Sequence, residues 1–279
     1  MLKRTADASL RQQELSEGNS TTMDDQWIRR YHSPPSSDMR LICLPHAGGS
    51  ASFYLPVSRA LAPALDVLAV QYPGRQDRRR EPCIDDVRGL AREVYTALGD
   101  VAGRRLALFG HSMGASVAFE VARMIEHQLG VRPVRLFVSG RRAPSVFREE
   151  FVHLRDDEGL LSEVRMLSGT DPGILGDDEM IRAALPALRS DYRAAETYRW
   201  VPGPPLSCPI TVFAGDADPK ATLDEARAWR EHTTGSFDFR VFPGGHFFLT
   251  RYQSQLLEVI SDQLSPAAST RSPLSAQRR

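Results

Sequence analysis

The chain has 279 residues, of which 42% are hydrophobic, and a formal net charge of +0 at pH 7. This length and composition suit one large α/β domain with a sizeable core. The balanced charge argues against nucleic acid and membrane surfaces as partners, because both attract proteins with a strongly basic charge.

Cysteine usage and hydropathy exclude further classes of protein. Cys43, Cys83 and Cys208 form no Cys-x-x-Cys pair, so the sequence predicts neither a disulfide framework nor a zinc site. No apolar leader opens the chain, and no run approaches the about 18 apolar residues of a membrane-spanning helix. We therefore expect a cytoplasmic protein.

Short apolar runs and amphipathic segments alternate along the chain. Strands are predicted near 40–44, 66–71, 104–109, 134–139, 209–215 and 237–242, and helices near 52–62, 85–98, 114–129, 222–234 and 250–263. This alternation predicts an α/β fold with a doubly wound, mostly parallel sheet. Residues 27–31 are a candidate antiparallel edge strand.

One helical segment interrupts the alternation and divides the predicted core into 24–144 and 206–264. Residues 145–205 form this segment, and long insertions inside a compact domain are usually functional. We expect a helical lid over the site, with a helical insertion remote from the site as the alternative. Residues 1–23 and 265–279 are polar and lack periodicity, so we expect both tails to be disordered.

The segment Gly110-His-Ser-Met-Gly114 carries the strongest functional signal. It lies between the apolar run 106–109 and an amphipathic helix that Gly130 can end. This is the context of the G-x-S-x-G turn that lifts a serine above the sheet of the α/β-hydrolase fold. Ser112 is the predicted nucleophile, and an incidental glycine-rich turn is the alternative.

A nucleophilic serine needs a base and an acid, which follow it in this fold in the order acid, then histidine. His246 stands on a loop after the predicted strand 237–242, whereas we interpret His127, His153 and His232 as surface histidines. Two aspartates after the strand 209–215 compete as the acid. We favour Asp218, which Pro219 holds extended, over Asp216, which is placed to bind turn amides.

Acyl transfer also needs two backbone N–H groups that bind the oxyanion. Met113 follows the nucleophile and is the first predicted donor. The second should come from the glycine-rich loop after the first predicted strand, residues 45–50. Ala47 is the preferred donor there and Gly48 the alternative.

Five segments together resemble the type II thioesterases that accompany modular polyketide and non-ribosomal peptide synthases. The resemblance covers about residues 27–264, and its specificity comes from combining the first two segments with the triad. The segments are Pro45-His-Ala-Gly-Gly-Ser50, Tyr72-Pro-Gly-Arg75, Gly110-His-Ser-Met-Gly114, Gly215-Asp-Ala-Asp-Pro219 and Gly244-Gly-His246.

The resemblance implies hydrolysis of acyl thioesters on the phosphopantetheine arm of acyl or peptidyl carrier proteins, which clears aberrant or stalled acyl groups. Matched residue by residue, the triad is Ser112, Asp218 and His246, and the oxyanion donors are Ala47 and Met113. No metal or cofactor is invoked. Two alternatives stay open: a serine esterase or lipase acting on small oxyesters, and a catalytically silent binding module.

Several arginines follow predicted strand ends, on the edge that should carry the nucleophile. Carrier proteins are typically acidic and their arm carries a phosphate, which guanidinium groups bind well. Docking of a carrier and ordinary solvated surface charge are equally good interpretations of these residues. They are Arg75, Arg78, Arg79, Arg80, Arg141 and Arg142.

Overall fold

A computed structural model describes residues 24–32, 37–62, 64–99, 105–168 and 182–265. The predicted disordered tail 1–23 and all but the first residue of the predicted tail 265–279 lie outside these residues. The part of the predicted lid that spans 169–181 lies outside them as well.

Seven strands of the described residues form one sheet in the order β1-β3-β2-β4-β5-β6-β7. Strand β1 is antiparallel to β3 and all other neighbours are parallel, which confirms the predicted sheet and its antiparallel edge strand. Observed and predicted strands agree within about two residues. The strands are β1 (Ile28–Arg29), β2 (Met39–Leu44), β3 (Asp66–Val70), β4 (Arg105–His111), β5 (Arg135–Ser139), β6 (Ile210–Gly215) and β7 (Phe237–Phe242).

Helices cover both faces of the sheet. Those described are α1 (Leu55–Leu61), α2 (Val87–Ala97), α3 (Met113–Leu129), α4 (Asp157–Ser168), α5 (Leu185–Thr197), α6 (Leu223–Arg227), α7 (Phe248–Arg251) and α8 (Gln253–Leu264). Three predicted helices are divided differently in the structure. The segment near 52–62 begins as a 3-10 turn, 222–234 becomes α6 and a 3-10 turn, and 250–263 becomes α7 and α8.

Helix α3 is the central element of one face. Its apolar residues Val117, Val121 and Ile125 are fully buried against the sheet, as their spacing predicts. The helix ends at Gly130, whose φ of +64° is the left-handed conformation of a C-terminal cap. It begins directly after β4, so the residue between them lies at the carboxyl edge of the sheet.

The start of α3 passes very close to two neighbouring backbones. A Cβ on Gly114 would lie 2.1 Å from the carbonyl oxygen of Leu44, and one on Gly110 would lie 2.2 Å from the carbonyl oxygen of Gly114. Neither backbone oxygen can rotate away as a side chain does. The turn between β4 and α3 therefore requires glycine at both positions.

The predicted lid segment has a hydrophobic cluster of its own. Helices α4 and α5 and a 3-10 turn at 152–154 contribute the buried side chains Val152, Leu160, Leu161, Leu167, Leu185, Leu188 and Tyr192. This cluster packs against Ala47, which follows β2, and Phe247, which follows β7. Residues 145–205 are named here the helical insertion, and their described part, 145–168 and 182–205, thus contacts the carboxyl edge of the sheet.

Gly114 and Gly130 allow the stability cost of a backbone clash to be compared with that of a left-handed backbone conformation. Gly114→Ala should lower the free energy of unfolding by at least about 3 kcal/mol, because a backbone oxygen occupies the position of the methyl group. Gly130→Ala should cost about 1–2 kcal/mol, since it meets only the left-handed strain and has open space. Urea denaturation of both variants measures the difference. Equal losses would contradict the close approach at Gly114.

Candidate active site

Ser112 occupies a strained position between β4 and α3. Its φ of 55° and ψ of −121° place a non-glycine residue in a conformation that L-residues rarely adopt. The N–H of Ser112 donates to the carbonyl oxygen of Ser139 at the end of β5, at 2.9 Å. The sharp turn directs the Ser112 side chain away from the sheet edge, as a nucleophile elbow requires.

The structure brings Ser112 together with His246 and Asp218. The Nε2 of His246 lies 2.9 Å from the Oγ of Ser112, and its Nδ1 lies 3.0 Å from both carboxylate oxygens of Asp218. A carboxylate can only accept, so Nδ1 carries the proton and Nε2 is free to accept from the Ser112 hydroxyl. Both partners of the buried His246–Asp218 pair come from loops at the carboxyl edge, after β7 and β6.

Asp216 has a different position and partner from Asp218. Its Oδ1 accepts the N–H of Gly244 at 2.8 Å, and its own N–H donates to the carbonyl oxygen of Phe242. Asp216 thus ties the loop after β6 to the loop after β7. This arrangement agrees with the sequence argument that favours Asp218 as the partner of the histidine.

Two histidines to which the sequence argument assigned no role, His46 and His111, lie beside His246 and Phe247. The ring of His111 lies 5.0 Å from that of His246, and His46 packs edge-on against Phe247 at 4.9 Å. Burial lowers the pKa of His46 to about 3 and that of His111 well below its ordinary value. Both rings are therefore neutral near pH 7. The sequence feature that could have placed His46 and His111 at the site is their position inside the Pro-His-Ala and Gly-His-Ser segments.

The surface interpretation of His232 is wrong. Its side chain is buried, and its Nε2 is hydrogen-bonded to the hydroxyl of Ser145 at 2.9 Å. Burial lowers the pKa of His232 to about 4. His153 is half-buried and hydrogen-bonded to Glu196, whereas His127 is exposed at the end of α3 as expected.

The two predicted oxyanion donors lie at the same edge of the sheet, Met113 after β4 and Ala47 after β2. Met113 is the first residue of α3, so its N–H has no acceptor within the helix. In the other loop, the N–H of Gly48 donates to Asp191 Oδ2 at 2.7 Å. No acceptor among the described residues is bonded to the N–H of Ala47. The geometry therefore favours Ala47 over Gly48 as the donor of this loop.

A cavity of about 430 Å³ opens beside the Ser112 and His246 side chains. The helical insertion contributes an apolar wall that includes Val164, Leu167, Ala184, Leu188 and Ala195. Several charged side chains also line the cavity and have partners within the protein, as in the Lys220–Glu150 ion pair of 2.9 Å. The cavity thus offers an apolar surface next to a polar reacting centre.

Most of the arginines considered for docking have partners inside the protein. Arg78 is buried, pairs with Glu81 and lies over the Trp27 ring at 4.3 Å. Arg141 donates to Ser116 Oγ and to the Ala195 carbonyl oxygen. The two remaining internal arginines pair with acidic residues, Arg75 with Asp191 and Arg142 with Glu150. Only Arg79 and Arg80 of the six are exposed.

The residues that the structure describes offer neither a membrane-spanning helix nor a candidate metal site. None of their helices is long and apolar enough to span a membrane. They contain no group of three or more histidine, cysteine or acidic side chains that could hold a metal ion.

The parallel sheet, the strained serine and the Ser112–His246–Asp218 geometry define an α/β-hydrolase. The Thioesterase domain family matches residues 39–264, which is most of the chain. The chain is 54% identical to Thioesterase PikA5 of Streptomyces venezuelae over 239 residues, covering 85% of each protein. It is 50% identical to a probable cadicidin biosynthesis thioesterase of Streptomyces griseus over 264 residues, covering 94% of this chain and 73% of the relative.

A solved structure agrees with these relatives. The type II thioesterase BorB from the borrelidin biosynthetic cluster superposes with a TM-score of 0.83 at 52% identity, covering 88% of this chain and 100% of BorB. The chain therefore belongs to the thioesterase family. This confirms the predicted α/β-hydrolase fold, the resemblance to type II thioesterases and the assignment of a thioester-hydrolysing enzyme.

Asp218 and Asp216 provide a matched test of which aspartate acts as the acid of the triad. Asp218→Asn should lower kcat by about 10³- to 10⁴-fold, because an amide in that place favours the wrong tautomer of His246. Asp216→Asn keeps an acceptor for the Gly244 N–H and should change kcat less than threefold, about 0.6 kcal/mol. Turnover of a free acyl thioester measures both. Similar losses in the two variants would contradict the assignment.

The buried neutral histidines predict acid destabilisation. The pKa values of His46, His111 and His232 are lowered in the folded protein. Below about pH 6.5 the unfolded chain therefore binds more protons than the folded chain, and the free energy of unfolding decreases as the pH is lowered. Each such histidine adds about 1.4 kcal/mol per pH unit to the slope between its two pKa values. His232→Gln should make the slope of unfolding free energy between pH 6.5 and pH 4.5 shallower, and exposed His127→Gln should not. A slope unchanged by His232→Gln would contradict its neutral burial.

Proposed function

We propose that this thioesterase hydrolyses acyl groups from the phosphopantetheine arm of acyl or peptidyl carrier proteins, removing aberrant or stalled chains during polyketide or non-ribosomal peptide synthesis. The observation that carries the proposal is the Ser112–His246–Asp218 contact at the mouth of a cavity with an apolar wall. The relatives named after biosynthetic pathways support the same substrate class. A cytoplasmic location stays a prediction.

The chemistry has two stages. In the first, Ser112 Oγ attacks the thioester carbonyl while His246 Nε2 accepts the hydroxyl proton. Asp218 holds the ring and stabilises the imidazolium without taking its proton. The N–H groups of Ala47 and Met113 bind the oxyanion. As the C–S bond breaks, His246 returns the proton to the departing sulfur and leaves an acyl-serine.

The second stage repeats the proton transfers with water as the nucleophile. His246 Nε2 removes a proton from the water as its oxygen bonds to the acyl carbonyl carbon. Collapse of the second tetrahedral intermediate breaks the bond to Ser112 Oγ, and His246 protonates that oxygen. The products are a carboxylic acid and the free carrier thiol, so the carrier becomes available for another acyl group.

We propose that the helical insertion acts as the lid of this site. Its side chains Val164, Leu167, Ala184 and Leu188 line the cavity beside the serine. An apolar wall discriminates only weakly between acyl groups of different length or branching, because one methylene changes the free energy of transition-state binding by only about 1–3 kcal/mol. Charged side chains beside the cavity are largely occupied by each other, as Lys220 is by Glu150 and Glu163. Few of them are free to bind a particular substituent of the acyl group. Weak discrimination suits an enzyme that removes varied acyl groups.

A substrate comparison tests the proposed function. We expect a higher kcat/KM for acyl-loaded carrier protein than for the matching free acyl thioester or nitrophenyl ester. Ser112→Ala should abolish all three activities and the covalent labelling by a fluorophosphonate probe. A preference for the oxyester would support a general esterase instead, and a wild-type protein that the probe does not label would support a silent binding module.

The exposed Arg79 and Arg80 are the remaining candidates for carrier docking. Arg79 lines the cavity mouth, where an acidic carrier or the phosphate of its arm would approach. Charge reversal of both residues should raise KM for acyl-carrier protein about tenfold and leave a free thioester almost unaffected. The wild-type preference for the carrier should also shrink as salt rises.

Arg92→Glu provides the control for this docking test. Arg92 is exposed on α2 and is not part of the cavity wall, so its reversal should leave both substrates unaffected. Equal effects of the Arg79 and Arg80 reversals on both substrates would contradict docking at that rim.

A further inference from the structure

Helix α5 of the helical insertion packs one face directly on the loop of residues 45–50. Leu188, Asp191 and Tyr192 lie three and four residues apart, so they share this face. The Cδ2 of Leu188 lies only 2.4 Å from where a Cβ on Gly48 would stand, and Gly48 adopts a φ of +75°. The contact therefore requires glycine at position 48, because any side chain there would clash with Leu188 and the backbone is left-handed.

A buried ion pair lies at this contact. Asp191 Oδ2 accepts the N–H of Gly48 at 2.7 Å, and both Asp191 oxygens accept from Arg75 Nη2 at 2.6 and 2.7 Å. Asp191 is 1% exposed and Arg75 is 7% exposed. Their charges cancel locally, so the carboxylate can lie near the reacting centre with little repulsion of a developing oxyanion.

We propose that Asp191 is a positioning residue of the oxyanion site: by holding the Gly48 N–H, it orients the adjacent peptide whose Ala47 N–H binds the oxyanion. Asp191 belongs to the helical insertion and not to the sheet core. The oxyanion site is therefore complete only when α5 is seated on the loop. This inference rests on the proposed catalytic function and adds a requirement to it.

A backbone hydrogen bond also closes this loop, from the N–H of Gly49 to the carbonyl oxygen of His46 at 2.9 Å. The other side-chain hydrogen bonds to the loop lie farther along it. The Oε1 of Gln71 accepts the N–H of Ala51 at 2.8 Å, and the Nε2 of Gln76 donates to the hydroxyls of Ser50 and Ser52. These contacts hold the end of the loop that leads into α1. Asp191 is the side chain that holds the peptide next to the Ala47 donor.

Two double variants separate the hydrogen bond from the charge. Arg75→Met with Asp191→Leu removes the acceptor for Gly48, keeps the branched outline of the side chain at position 191 and leaves no buried charge, a change that proteins often tolerate. Arg75→Gln with Asp191→Asn also removes both charges but keeps an amide oxygen as the acceptor. Arg193→Gln is the matched control, because Arg193 also joins α5 to the core, through an exposed ion pair with Asp85 of 3.1 Å.

We expect the apolar pair to lower kcat on a free acyl thioester by about ten- to a hundredfold, with KM changed less than about threefold. The amide pair should retain at least tenfold more kcat than the apolar pair, and Arg193→Gln should match the wild type. Affinity for an acyl trifluoromethyl ketone, whose serine adduct carries an oxyanion, should fall in proportion to kcat/KM. A purely structural role would not produce that proportion.

Equal kcat in the two double variants, with both folded by circular dichroism, would overturn the inference while wild-type turnover keeps the proposed function intact. A wild-type protein without thioester turnover would instead refute the function. If the apolar pair does not fold, Asp191→Ala and Asp191→Asn give the same comparison, since only asparagine keeps an acceptor. Equal kcat in those two single variants would likewise overturn the inference.

Discussion

The close backbone crossing at Gly110 and Gly114 is the constraint on which the site depends. It allows α3 to begin so near β2 and β4 that Ser112 must take up its strained conformation. The strain is sustained by the burial of β4 and α3 in the largest hydrophobic cluster of the described residues. Because β2, β6 and β7 run parallel to β4, the loops that follow them and carry the other site residues begin at the same edge of the sheet.

Electrostatics at this edge follow from burial. Most charged groups around the cavity are paired, as Lys220 is with Glu150 and Glu163, and the nearby imidazoles of His46 and His111 are neutral, whereas Arg79 is exposed to solvent. Paired and neutral groups produce weak fields, so an oxyanion at the proposed donors would meet mainly their fixed backbone dipoles. Such preorganised dipoles act strongly in a site that excludes water.

The parts of the site that could be predicted from the sequence are those encoded locally. Ser112 lies in a five-residue motif with glycines at the required positions, and Asp218 and His246 each follow a recognisable apolar strand. The contacts of half-buried Arg141 and buried His232 could not be predicted in this way, because their partners Ala195 and Ser145 lie far away in the sequence. Asp191, 143 residues from Gly48, likewise has no local signature of its contact.

The proposed catalytic machinery is thus supported by two different parts of the molecule. Asp218 and His246 stand on loops of the sheet core, whereas the peptide beside Ala47 is held by α5 of the helical insertion. Changes in the core should act on proton transfer and therefore alter the pH dependence of turnover. Changes in the insertion should act on the oxyanion and on the acyl wall together, since Leu188 and Asp191 lie on one helix face. Variation in the insertion would then couple acyl selectivity to kcat without altering the acid–base chemistry.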